Sequence, residues 1–272
     1  MPRAPRDPRT ARGRPSRPSH VKRYALISDI HANLPALEAV LADIAMRPDV
    51  DATYHLGDLV GYAPWPDETI ARIREAGIAG VAGNYDSTVA LHAPHCGCRY
   101  EDPRQEELSH QSYAWTLEHT SATSKTWLGT LPFRLDLRPL GGHSAGPTVV
   151  LLHGNQVLNT VYVHAERSDE FLAKLGSAVG AAAGDVVCFG HTHVPWHRIV
   201  DGVRFVNTGS VGRPKDGDPR AGYVLLDAAA GAATVEIVRV AYDVEQAAAR
   251  IIAAGLPPAF ADFLRTGGRV QP

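Results

Sequence analysis

Cysteine is scarce in this chain. Three residues of 272, Cys96, Cys98 and Cys188, are too few for a disulfide framework at this size, so a reduced, cytoplasmic setting is expected. No run approaches the roughly 18 apolar residues that a membrane span needs, and no membrane partner is expected. Residues 1–20 lack the apolar h-region of a secretory signal. An excess of basic charge is missing from the body of the chain. The net charge is −2, yet residues 1–20 hold six arginines and one aspartate, or +5, which leaves the remainder at −7. A body of that sign is unsuited to gripping a long phosphate backbone, so nucleic acid is not an expected partner. It suits a site built from carboxylates whose charge bound cations offset.

What is present is ordinary for a globular protein: 44% hydrophobic and 21% charged residues. The length suits one large α/β domain, taken as residues 21–272. Residues 1–20, rich in arginine and proline without an apolar face, read as a disordered basic tail, with a nucleic-acid arm as the alternative.

Five polar clusters organise that domain: Asp29-Ile30-His31, Gly57-Asp58, Gly83-Asn84-Tyr85-Asp86, His153-Gly154 and Gly190-His191-Thr192-His193. Most follow a short apolar run, which puts each at the C-terminal tip of a strand. In open α/β sheets ligand crevices form at that edge. Strands are expected over 21–28, 52–56, 78–82, 148–152 and 185–189. Helices are expected after residue 33, where apolar positions 37, 40, 41 and 44 keep helical spacing behind Pro35, near 67–76 and over 169–179. Alternating strand, loop and helix imply a mostly parallel sheet. From 196 onward the pattern is antiparallel: strands 196–200 and 203–207 around an Asp201-Gly202 turn, then 223–227 and 234–242 around a turn at Gly231. Helices at 243–254 and 257–265 end the chain.

Residues 88–135 interrupt the rhythm and read as a helical insertion or cap, with helices around 105–118 and 124–130. Cys96-x-Cys98 with His92 and His95 offers zinc's preferred ligand types, although the spacing favours a local turn or a substrate-facing loop.

Singly, an aspartate after a strand is usually a turn or cap residue and a histidine a satisfied polar side chain. Together the clusters bring two carboxylates, four histidines and one asparagine to one edge, a donor set for a pair of metal ions. A carboxylate oxygen can bridge two cations about 3.5–4 Å apart, and Asp58 is the candidate bridge. Asp29 and His31, one residue apart on an extended strand end, would reach one cation together. His191 and His193 would each serve a different one.

These residues resemble the calcineurin-like metallophosphoesterase superfamily, whose pattern runs Asp-x-His, Gly-Asp, Gly-Asn-His-Asp/Glu, His, Gly-His-x-His. The match spans roughly residues 22–243. The stretches Asn207-Thr208-Gly209-Ser210-Val211-Gly212-Arg213-Pro214 and Asp216-Gly217-Asp218-Pro219-Arg220-Ala221 look like its small bacterial and archaeal phosphodiesterase branch. The resemblance implies a four-layer α/β/β/α sandwich with two mixed β-sheets and two divalent metal ions (manganese, iron, nickel or zinc). One ion would be held by Asp29, His31, Asp58 and His193, the other by Asp58, Asn84, His153 and His191. It further implies hydrolysis of a small, nucleotide-like phosphate diester by attack of a metal-bound hydroxide. The alternatives are a phosphomonoesterase or phosphoprotein phosphatase on the same site, or a non-catalytic protein-binding scaffold. Oligomeric state is left open, a homo-oligomer included.

One position departs from the pattern. Tyr85 stands where the family often has a histidine that orients phosphate or protonates the leaving group, and other members of the branch lack it too. With a pKa near 10, tyrosine is a poorer acid at neutral pH. The expectation is a preference for good leaving groups, or an acid borrowed from His92 or His95. Asp86 is expected to position its neighbours outside the metal's ligand set. Arg213, Lys215 and Arg220 are expected to steer the phosphate or to form a solvated loop.

Overall fold

The computed structural model describes residues 21–99, 102–139, 146–229 and 233–269. The basic tail and the Gly231 turn lie outside the described residues.

Side-chain alternation along the strands builds the layers. In β1 (Lys22–Ile27), Ala25 and Ile27 face one way and Leu26 the other. Ala25 and Ile27 pack with Leu37, Val40 and Leu41 of α1 (Leu34–Ala45), the apolar stripe read from the sequence. Leu26 packs instead with Val149 and Leu151 of β5 (Val149–Leu151) and Val206 of β8 (Val203–Asn207). The same period of two turns Val150 outward, against Leu172 and Leu175 of α6 (Asp169–Ala178). Helix, sheet, sheet, helix follow in order: the four-layer α/β/β/α sandwich.

Both sheets are mixed and five-stranded. The first runs β10 (Thr234–Val240), β9 (Ala221–Ala228), β1, β2 (Ala52–His55), β3 (Ala79–Gly80). Here β1, β2 and β3 are parallel and β9 is antiparallel to β1 and β10. The second runs β4 (Leu135–Leu137), β5, β6 (Val186–Phe189), β8, β7 (Trp196–Val200). Here β5, β6 and β8 are parallel. Antiparallel β7 and β8 meet at Asp201 and Gly202, whose φ angles of 48° and 77° are the paired positive values a two-residue hairpin turn demands.

Three expectations need correction. β3 covers Ala79–Gly80, shorter than 78–82, because after Val81 the chain leaves β2 and the Ala82 amide bonds the Pro132 carbonyl. A helix, α3 (Asn84–Ala90), starts inside the third polar cluster, where Asp86 accepts from the Gly83 amide and so satisfies a free N–H of the first turn. The two helices expected within 88–135 are present as α4 (Pro103–His119) and α5 (Ala122–Leu128), and β4 follows them at the sheet edge. Cys96, Tyr113 and Leu128 share the core of α1 and β1. Finally, Asp29 and His31 have φ of 51° and 50°, so this segment turns and does not run extended. Among the described residues no helix is long and apolar enough to cross a membrane.

Candidate metal centre

The parallel strands β1, β2 and β3 of one sheet and β5 and β6 of the other deliver the five clusters to a common edge. Between them the chain turns sharply. Asp29, His31, Asp58, His191 and His193 all have φ between 50° and 66°, a left-handed conformation that costs residues with a Cβ on the order of 1–3 kcal/mol each. Such strain persists where surrounding bonds over-determine it. The Asp29 amide donates to Gly57 and the His31 amide to Asp58, 3.0 Å in each case. Ser210 Oγ donates to the Asp29 carbonyl at 2.7 Å, and Asn207 Nδ2 to the Gly190 carbonyl at 2.7 Å. Glycine is required where loops cross: a Cβ on Gly83 would strike Asp58, and one on Gly190 would strike Ser28 and Asp29.

Two groups result, both buried: Asp29, His31 and His193, and Asp58, His153 and His191, with ligand atoms in each within 4.8 Å of one another. His31 Nε2 and His193 Nε2 are 3.1 Å apart, and His193 Nε2 is 3.3 Å from Asp29 Oδ1. His153 Nε2 is 3.2 Å from both His191 Nδ1 and Asn84 Oδ1. Asp58 Oδ2 stands between the groups, 3.7 Å from His31 Nε2 and 3.4 Å from His153 Nε2.

Hydrogen bonds behind the ligand atoms fix which nitrogen faces inward. Nδ1–H donates to the Val60 carbonyl from His31, to Leu56 from His153 and to Arg213 from His193, at 3.1, 2.7 and 2.6 Å. Each Nε2 is thereby aimed into the centre, as ligating histidines are held by a hydrogen bond from their other ring nitrogen. Asp29 Oδ1 is a buried acceptor with no hydrogen-bond partner among the described residues, an arrangement that a cation would satisfy. Burial lowers the His31 imidazole to about 3, with help from His193, and lowers His191 and His193 as well. They are neutral, the form that binds metal. Burial opposes charge on His153 too, but the adjoining Asp58 carboxylate overrides it and raises the ring to about 9. The donor set fits two divalent cations.

Asp86 lies outside both groups. Its oxygens accept from the Leu59 and Gly83 amides, 2.9 Å each, tying the second cluster to the third. Burial and the Asp58 charge push its carboxyl up. Tyr85 is buried with its ring edge-on to His31 at 5.5 Å.

A profile of the calcineurin-like phosphoesterase superfamily domain matches residues 23–231. The chain belongs to that superfamily. As a phosphoesterase of this class it is a hydrolase whose cofactors are divalent metal ions. A metallophosphoesterase from Sphaerobacter thermophilus shares 29% identity, 91% of this chain and 99% of that one aligning with a TM-score of 0.70. A hypothetical protein from Pyrococcus horikoshii aligns over the same shares at 23% identity and a TM-score of 0.75, a likeness of fold. An uncharacterized protein of Methanocaldococcus jannaschii is 29% identical over 256 residues, covering 86% of this chain and 93% of the relative.

Above the centre of this phosphoesterase opens a cleft of about 670 Å³. Tyr62, Tyr162, Arg213 and Phe263 line it, with Tyr162 stacked on the His191 ring at 4.0 Å. Cys98 lines it too, its Sγ 3.2 Å from Asn84 Nδ2. That makes the Cys96–Cys98 turn a cleft-facing loop. His92 and His95, expected as borrowed acids, are exposed and do not line the cleft, whereas His164 does. Lys215 also lines it, while Arg220 is bound to Asp218. Tyr162, His164 and the C-terminal Phe260 and Phe263 also line the cleft. These residues carry no motif and reach the cleft through tertiary packing.

Proposed function

We propose that the chain hydrolyses a small phosphate diester of nucleotide-like size at a dinuclear centre. The observation that carries this reading is Asp58 Oδ2, placed between two histidine-containing groups at the floor of the cleft. Asp29, His31, Asp58 and His193 would hold one ion, and Asp58, Asn84, His153 and His191 the other. Bound there, the ions supply Lewis acidity and lower the pKa of water to the range of a neutral-pH nucleophile.

The protein's own part is positional. The Tyr85 amide and the Asp86 bridge hold Asp58 and Asn84 in register. The imidazoles of His31 and His193, neutral and held from behind by the Val60 and Arg213 carbonyls, stay fixed while the substrate turns over. The cleft extends to both sides of the centre, toward Tyr62 beside His31 and toward Tyr162 beside His191. A diester would direct one substituent on phosphorus toward each of these sides of the cleft. With Tyr85 in place of a histidine, good leaving groups are preferred.

The test is turnover of bis-p-nitrophenyl phosphate against p-nitrophenyl phosphate, with manganese, for the wild type and Asp58→Asn. Faster diester turnover that disappears in the variant supports the reading. A monoester preference turns it to a phosphatase, and turnover of neither turns it to a protein-binding scaffold.

A further inference from the structure

Arg213 differs from several arginines of the chain that pair with carboxylates. Arg23 pairs with Asp227, Arg134 with Asp136, Arg239 with Asp216 and Arg265 with Glu245. Arg213 is more than nine-tenths buried, at 7% exposure, and among the described residues no carboxylate pairs with it. A buried charge without a partner is costly, so its surroundings must hold it for a reason.

Those surroundings are aromatic. The guanidinium carbon lies 4.0 Å from the Tyr62 ring centroid and 3.9 Å from that of Phe263, with Phe260 at 5.7 Å. Rings on both sides support the cation through their negative faces. With rings this close to the guanidinium carbon, its N–H groups remain its means of hydrogen bonding. The residue lines the cleft, and its own carbonyl holds His193 Nδ1, which roots the side chain beside the first ligand group. Phe260 and Phe263 belong to α8 (Ala259–Thr266), outside residues 23–231 matched by the superfamily profile.

We propose that Arg213, clamped between Tyr62 and Phe263 beside the metal centre, is an anion-binding residue of the cleft that takes phosphate oxygens of the substrate. This rests on the phosphoesterase reading of the same cleft. The planar fork of arginine matches two phosphate oxygens at once. Two sources would present that chemistry: the non-bridging oxygens of the scissile phosphate, or a second phosphate on the substrate. Through its clamp, α8 is then the element that sets which phosphate esters fit.

The experiment is calorimetric titration of inorganic phosphate into the full chain loaded with manganese, for the wild type, Arg213→Met and the exposed control Arg220→Gln. Metal content and melting temperature are measured in parallel. The expected result is phosphate affinity at least about tenfold weaker in Arg213→Met, from the loss of charge-assisted hydrogen bonds, with metal content and Arg220→Gln unchanged. Turnover then separates the sources. A raised KM on bis-p-nitrophenyl phosphate assigns the scissile phosphate. A raised KM on adenosine 5′-diphosphate alone assigns a second one. If Arg213→Met does not fold, Arg213→Lys keeps a charge without the fork and is expected to bind phosphate more weakly than wild type. Phosphate binding and turnover unchanged by either substitution overturn the inference while leaving the phosphoesterase reading intact. Phosphate binding lost in Arg213→Met, with no turnover in the wild type, overturns that reading and keeps the inference.

Discussion

The Tyr85 main-chain amide donates to Asp58 Oδ1 at 2.9 Å, and this leaves Asp58 Oδ2 as the oxygen that faces both groups of candidate ligands. One oxygen is committed to the helix start, the other to the centre. The carboxylate cannot rotate without giving up the Tyr85 bond. Position 85 therefore serves the site through its backbone whatever its side chain does.

Asp86→Asn separates bracing from chemistry. The carboxylate accepts from two amides, Leu59 and Gly83. An asparagine accepts from one and presents an NH₂ to the other, leaving a buried donor unmet at about 1–3 kcal/mol. Urea unfolding is expected to show a loss of that size, and an unchanged midpoint would refute the bracing role.

Tyr85→His restores the residue often found at this place in the superfamily. It is expected to flatten the dependence of rate on leaving-group pKa across a series of substituted phenyl esters, since an imidazole titrates near neutrality. Tyr85→Phe should keep the wild-type slope. A slope identical in all three proteins would remove position 85 from leaving-group chemistry.

Leu26→Ala tests the core between the sheets. Leu26 is fully buried against Val149, Leu151 and Val206, and the substitution should cost about 2–5 kcal/mol through lost transfer energy and the cavity left behind. A loss below 1 kcal/mol in denaturant unfolding would contradict the close packing of the two sheets.

Asp218 gives a pH dependence of definite sign. The Arg220 guanidinium, bonded through Nη2 at 2.6 Å, holds its carboxyl down at about 2 against a usual 3.8. A folded-state pKa below the unfolded one stabilises at pH values above about 4, and the contribution fades as pH falls toward 2. Asp218→Asn should therefore melt below the wild type at pH 6 and together with it at pH 2. A gap that widens on acidification would reverse the assignment.

Much of this was legible in the sequence because a few strong patterns coincide. Residues 37, 40, 41 and 44 declare α1, Asp201-Gly202 declares the β7–β8 hairpin, and polar clusters behind apolar runs declare the edge where ligands gather. The superfamily resemblance supplied the four layers. Patterns weakened where local propensity yields to long-range bonding. The start of α3 is hidden because Gly83 carries no capping side chain and Asp86 does the capping from within. The turn at Asp29 and His31 is hidden because nothing in those residue types announces a positive φ; bonds to Gly57, Asp58 and Ser210 enforce it. The aromatic clamp on Arg213 joins it to residues about 50 and 150 positions away in sequence, which no periodicity reveals.

The most direct measurement is the number of manganese ions bound per chain after chelator treatment, by equilibrium titration of the wild type and His153→Ala. His153 faces Asn84, His191 and Asp58 and takes no part in the Asp29 group. Two ions in the wild type and one in the variant are expected. A wild type that binds none, or a variant that still binds two with undiminished affinity, would contradict a dinuclear centre built on Asp58.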